Sequence, residues 1–117
     1  MKVLFIINDP PYGTERVYNA LRLAHALAKH DVGNEVTVFL MADAVLAAKA
    51  DQKTPEGYYN VERMLKRVLA GKGHVLLCGT CMDARGIDGA SLVAGAGRST
   101  MDELATATIE ADKVLVF

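Results

Sequence analysis

The chain contains no tryptophan and only three prolines and two cysteines in 117 residues. The chain can nevertheless fold without disulfide staples. A chain of this length buries roughly two-thirds of the surface its unfolded form exposes, enough for one self-sufficient domain. An excess of either charge is missing too: 13 basic and 14 acidic residues are well mixed and leave a formal net charge of -1. Without a basic run the sequence offers nothing to bind nucleic acid directly. Its apolar stretches fall far short of the ~20 residues that a membrane span needs. The segment after Met1-Lys2 reads as a strand at once, without the apolar region and cleavage site of a secretion signal, which predicts a cytoplasmic protein. Repeats, linkers, G-x-G-x-x-G and G-x-x-x-x-G-K-[ST] are all lacking, so residues 1–117 read as one domain with no nucleotide signature. No Ser-His-Asp order and no pair of acids stands out.

Apolar residues are plentiful. They make up 51% of the chain, and the mean hydropathy is +0.17. Two compatible explanations are a parallel sheet buried on both faces and an apolar surface shared between copies of the chain. The pattern supports the first directly. Val3 to Ile7 is a continuous, β-branched run, as a strand covered on both sides requires. Further strands are predicted at Glu35 to Met41, His74 to Cys78, Ala94 to Arg98 and Lys113 to Phe117. Helical spacing runs from a Thr14 cap to Lys29. It recurs from Asp43 to Lys49, from an Asn60 cap to Gly71, and from Thr100, which forms a capping box with Glu103. Strands alternating with helices give an α/β fold: a three-layer, flavodoxin-like sandwich of about five mostly parallel strands.

Ligands of such sheets bind beyond the carboxyl ends of the strands. Three segments are expected to gather there: Asn8 to Gly13, Met41 to Asp43, and Cys78 to Arg85. The last holds both cysteines, in Cys78-Gly79-Thr80-Cys81. Two thiols three positions apart at the end of a strand, in a reducing compartment, point to catalysis, redox chemistry or metal binding. A single CxxC supplies two metal ligands and His74 at most a third, so neither a metal nor a cofactor is expected. A thiol attacks as thiolate. Backbone N–H groups of a helical turn at Gly79–Asp83 and the fixed charge of Arg85 would favour that form, and an Asp83–Arg85 ion pair would mute the effect of Asp83. Gly79 allows close approach by a partner group. Cys78, at the strand end, is the principal candidate and Cys81 a resolving thiol, with inert packing as the bland alternative. Asn8, Tyr12, Gly13, Asp43, Gly79 and Thr80 are the expected pocket lining. Capping alone would explain Asp43, and Tyr58 and Tyr59 suit a subunit interface.

These residues together resemble the DsrE/DsrF-like family, and within it the small YchN-like proteins. The resemblance runs through Asn8-Asp9-Pro10-Pro11-Tyr12-Gly13-Thr14-Glu15, Leu21-Arg22-Leu23-Ala24, Phe39-Leu40-Met41-Ala42-Asp43-Ala44-Val45, Gly57-Tyr58, Leu77-Cys78-Gly79-Thr80-Cys81, Arg85-Gly86-Ile87 and Ala111-Asp112-Lys113-Val114-Leu115. It implies a flavodoxin-like fold assembled as trimers or dimers of trimers. It also implies a sulfur relay in which the active cysteine, some seven positions before an Arg-Gly pair, carries sulfur as a persulfide between donor and acceptor proteins. Here that position is Cys78, before Arg85-Gly86. The alternatives are a CxxC dithiol redox protein and a non-catalytic oligomer that binds a ligand or partner.

Overall fold

The computed structural model describes every residue from Met1 to Phe117. Five strands, β1 (Lys2–Ile7), β2 (Glu35–Leu40), β3 (His74–Cys78), β4 (Gly97–Ser99) and β5 (Lys113–Val116), form one sheet in the order β4-β3-β2-β1-β5. Every pairing is parallel, so the fold is α/β with helices on both faces.

The strand order dictates where the helices lie. From β1 to β2 to β3 the chain steps one way, and right-handed crossovers put α1 (Arg16–His30) and α2 (Val61–Ala70) on one face, packed together. From β4 the chain returns past β1 to β5, which puts α4 (Met101–Glu110) on the other face, against β1. Strand alternation agrees with this. Val3 and Leu115 line a groove with Leu23 and Leu27 of α1, whereas Leu4 and Thr37 line one with Ala107 of α4 and Ala111 just beyond its end. Phe5, Ile7, Val38, Leu40 and Leu77 are fully enclosed together with Val17, Ala20 and Leu65. Each such side chain contributes about 1.5–3 kcal/mol through removal from water.

The α2 stripe and its Asn60 cap, which accepts the Arg63 N–H at 3.1 Å, match the sequence pattern. Differences arise where a residue has a stronger local partner. Thr14 does not cap α1 in the usual way. Its hydroxyl donates to Asp9 at 3.0 Å, and the helix begins at Arg16 after an uncapped Glu15. β4 starts at Gly97 rather than Ala94, because the amides of Val93 and Ala96 are already used by Ala48 O and Val93 O. The helix expected from Asp43 is a 3-10 helix, Ala42–Ala48, and a second 3-10 turn, Gly89–Ser91, had no sequence signal.

Candidate functional site

β3 ends at Cys78, and α3 (Gly79–Ala84) starts at the next residue. Cys78 is the N-cap of α3: its Sγ accepts the Cys81 N–H at 3.3 Å and lies 3.4 Å from the Thr80 hydroxyl. The cysteine spacing thus follows from cap geometry, in which the side chain at the cap meets the amide three residues on. This brings the two Cα atoms to 5.2 Å, and the sulfurs pair as a disulfide. With Cys78 in that state, the Thr80 hydroxyl is the donor to its sulfur.

The segment after β2 completes the turn. Ala42 donates its N–H to Cys81 Sγ at 3.3 Å. Ala42 has φ +50, an unfavourable backbone for alanine, so its neighbours hold this amide in place. One residue on, Asp43 accepts the Arg85 Nε–H at 2.8 Å, and Arg85 Nη1 donates to the Cys81 carbonyl at 3.0 Å. Arg85 thus serves the carboxyl end of α3, where carbonyls lack helical partners, and not the Cys78 sulfur. Asp83 pairs with Arg98 of β4, at 2.7 and 2.8 Å, in place of the expected bridge to Arg85. Residues two apart on a helix point in different directions, which separates Asp83 from Arg85. The Arg98 hydrogen bonds hold the Asp83 carboxyl below the ordinary aspartate range and push Arg98 up. Both guanidinium groups near the cysteines are therefore matched by carboxylates.

Cys78 is only 8% exposed, while Cys81 is half-buried. The approach at Gly79 is filled from within the chain. A Cβ there would sit 2.7 Å from Arg98 Nε and 2.8 Å from Arg98 Cζ, so glycine is required for the arginine to lie on the turn.

Met41–Asp43 and Cys78–Arg85 are joined directly, but Asn8–Gly13 makes its hydrogen bonds elsewhere. Asn8 bonds to the Phe117 carbonyl through its amide N–H, at 2.9 Å, and its side chain, at 3.5 Å. Gly13, at φ +101, makes a turn that other residues resist. Tyr12 donates to Gln52 at 2.6 Å and accepts the Val61 N–H at 3.1 Å. It also joins Tyr18, Tyr58 and Tyr59 in an aromatic column, with ring centroids 4.3 Å apart for Tyr18–Tyr59 and 4.5 Å for Tyr58–Tyr59. Arg22 lies 5.3 Å from the Tyr18 centroid. The Tyr58 hydrogen bond, burial and nearby Glu15 push the Tyr59 hydroxyl up to about 12. Sequence reasoning missed Arg98, Ala42 and the column. Arg98 stands 17 residues beyond Cys81 (98 − 81) in a glycine-rich stretch without period, and only β4 lying beside β3 brings it to the turn.

Fold and site define a class: small parallel-sheet α/β domains carrying a cysteine pair where a strand passes into a helix at the carboxyl edge. Comparison with known proteins gives the chain's family. It matches the DsrE/DsrF-like family over residues 1–117 and belongs to that family. It is 44% identical to Protein YchN of Escherichia coli over 116 residues, covering 99% of this chain and 98% of the relative. It is 38% identical over 117 residues to an uncharacterised protein of Methanocaldococcus jannaschii, with all of both chains covered. The crystal structure of the E. coli YchN protein superposes with a TM-score of 0.94 over 99% of this chain and 98% of that one. A Methanobacterium thermoautotrophicum protein of unknown function, 15% identical, shares the fold at a TM-score of 0.81 over 99% of this chain and 98% of its own.

Proposed function

We propose that this protein is a sulfur-relay protein that carries sulfane sulfur as a persulfide on Cys78 and uses Cys81 to resolve it. The observation behind this reading is the pair of adjoining sulfurs at the carboxyl edge of β3, each receiving a backbone N–H, from Cys81 and from Ala42. Such donors stabilise an anionic sulfur.

A thiol reductant first opens the pair, supplying two electrons and leaving both cysteines reduced. The Cys78 thiolate then attacks the outer sulfur of a donor persulfide. The donor's S–S bond breaks, the donor leaves as a thiolate, and Cys78 holds the sulfane sulfur with no net oxidation. An acceptor thiolate takes that outer sulfur and regenerates the Cys78 thiolate. Without an acceptor, Cys81 attacks the inner sulfur, hydrosulfide leaves and the disulfide re-forms. Donor and acceptor proteins are the partners, and the cytoplasm is the compartment that keeps such thiols reduced. Val114, Val116, Met101 and Ile109 are exposed on β5 and α4, which supports assembly of copies into a trimer or a dimer of trimers.

Intact-mass measurement after treatment with a sulfane donor tests this reading. After reduction, Cys81→Ser, which cannot resolve the persulfide, gains one sulfur and Cys78→Ser gains none; equal gain by both overturns the reading. The disulfide itself favours a second reading, a dithiol redox protein that cycles the pair. Equal loss of function in Cys78→Ser and Cys81→Ser selects that reading, whereas loss confined to Cys78→Ser selects sulfur carriage.

A further inference from the structure

β4 lies beside β3 with Ser99 in register with Cys78 and Arg98 in register with Leu77. This short strand is firmly held. Ser99 is 3% exposed, its hydroxyl bonds the Glu103 carboxylate, and Thr100 caps α4 by accepting the Glu103 N–H at 3.2 Å. From this fixed base Arg98 makes two contacts on α3. Its terminal nitrogens grip both oxygens of Asp83, and the guanidinium lies on the Gly79 backbone four residues earlier. A flat, forked group suits both places at once: the fork takes a carboxylate through two bonds, and the glycine leaves free the space the guanidinium fills. A lysine could supply the charge but neither the fork nor the plane.

We infer that Arg98 is the positioning residue of the cysteine turn: by clamping Asp83 and Gly79 to β4 it fixes the orientation of α3 that brings Cys81 to Cys78. The inference rests on the reading that the two sulfurs react with one another. It gives Arg98 an indirect role, since it touches neither sulfur in a hydrogen bond. The other charged groups around the turn are committed: Arg85 to Asp43, and Glu103 to Ser99. None duplicates the clamp. Loss of the clamp removes the tie between α3 and β4 and leaves only those to the 42–48 segment, so the paired state loses part of its advantage over the open dithiol.

The test is the thiol–disulfide equilibrium of the full chain in a series of oxidised and reduced dithiothreitol mixtures, read by alkylation and intact mass. Arg98→Met, Arg98→Lys and Asp83→Asn are each expected to shift it towards the dithiol by about two- to fivefold, the scale of an exposed ion pair. The Arg98→Met, Asp83→Asn double variant should shift no further than either single. Failure of Arg98→Lys to rescue distinguishes clamping from charge. Urea unfolding of the reduced proteins should differ little, since the pair lies on the surface with Arg98 53% exposed. Wild-type equilibrium in all three variants overturns the inference, as does rescue by Arg98→Lys. A wild-type chain whose thiols never pair overturns the reading of the site and the inference with it, an outcome distinct from an unshifted variant.

Discussion

Two corners of the same sheet edge gather functional-looking side chains in opposite ways. At the cysteine turn the contacts are polar and directional: amides into sulfur, and guanidinium forks on carboxylates. At the tyrosine column they are ring on ring, with all four tyrosines of the chain in contact and the Tyr12 hydroxyl tying the stack to Gln52 and Val61. Polar contacts fix where an atom points, so they suit chemistry. Stacked aromatics bury area and hold elements together, here Tyr18 of α1 and the 51–60 segment that leads into α2. The difference predicts that the column governs stability with little effect on the thiols, and that the turn governs the thiols with little effect on stability.

The largest effect is expected at the middle of the column. Tyr59→Ala should cost about 2 to 3 kcal/mol in urea unfolding, since Tyr59 has a stacked ring on either side and each such pair contributes about 0.5–1.5 kcal/mol. The thiol–disulfide equilibrium should stay at its wild-type value; a shift there would break the separation between the two corners. Next comes Tyr12→Phe, which keeps the ring but strands the Gln52 oxygen and the Val61 amide. Its cost should be about 2 kcal/mol, and an unchanged midpoint would mean that water replaces the hydroxyl.

Glu62 sharpens the comparison through pH. Burial pushes its carboxyl up, but the Gln52 amide at 2.8 Å, Lys66 at 3.1 Å and the Asp51 amide outweigh burial and hold it below the ordinary glutamate range. A folded-state pKa below the unfolded one means that the ionised group stabilises the fold at neutral pH, and that this contribution fades as pH falls through the folded value. Glu62→Gln should therefore cost about 1.5 kcal/mol at neutral pH, and the gap from wild type should close as pH falls through the lowered folded-state value. A gap of constant size across that range would rule out the ionised carboxylate as its source. The smallest stability effect is expected at the turn itself. Asp43→Asn loosens an ion pair with a half-exposed carboxylate and should cost below about 1 kcal/mol. The rate of Cys81 alkylation in the reduced protein should nevertheless change, because Asp43 adjoins the Ala42 amide that points at that sulfur. A large loss of stability with an unaltered alkylation rate would invert the comparison.

Much of this was written in local pattern. The run Val3 to Ile7 reads as a two-sided strand because every position is apolar, and the stripe Val61, Leu65, Val68 reads as a helix face because its spacing follows the helical turn. The helical turn at Gly79–Asp83 was equally local, whereas the cap that Cys78 forms on it was seen only in the structure. Arg98 and Ala42 were not legible. Arg98 follows four glycines among twelve residues, a stretch with no period, and Ala42 carries a side chain that gives no hint of its positive φ. The tyrosines were read as pocket wall and interface, because stacking between residues some 40 positions apart leaves no mark on spacing.

The order of apolar and polar residues settled the α/β architecture, the position of the cysteine pair at a strand end and, through the family it belongs to, the kind of chemistry to look for. Periodicity and capping act over a few residues, so a linear sequence carries them in full. The identity of the cation on the turn, the pairing of Arg85 with Asp43 and the amide that meets Cys81 were decided by packing, when a parallel sheet set β2, β3 and β4 side by side. Such contacts depend on strand order and on which charge reaches which partner first, and those are properties of the folded chain.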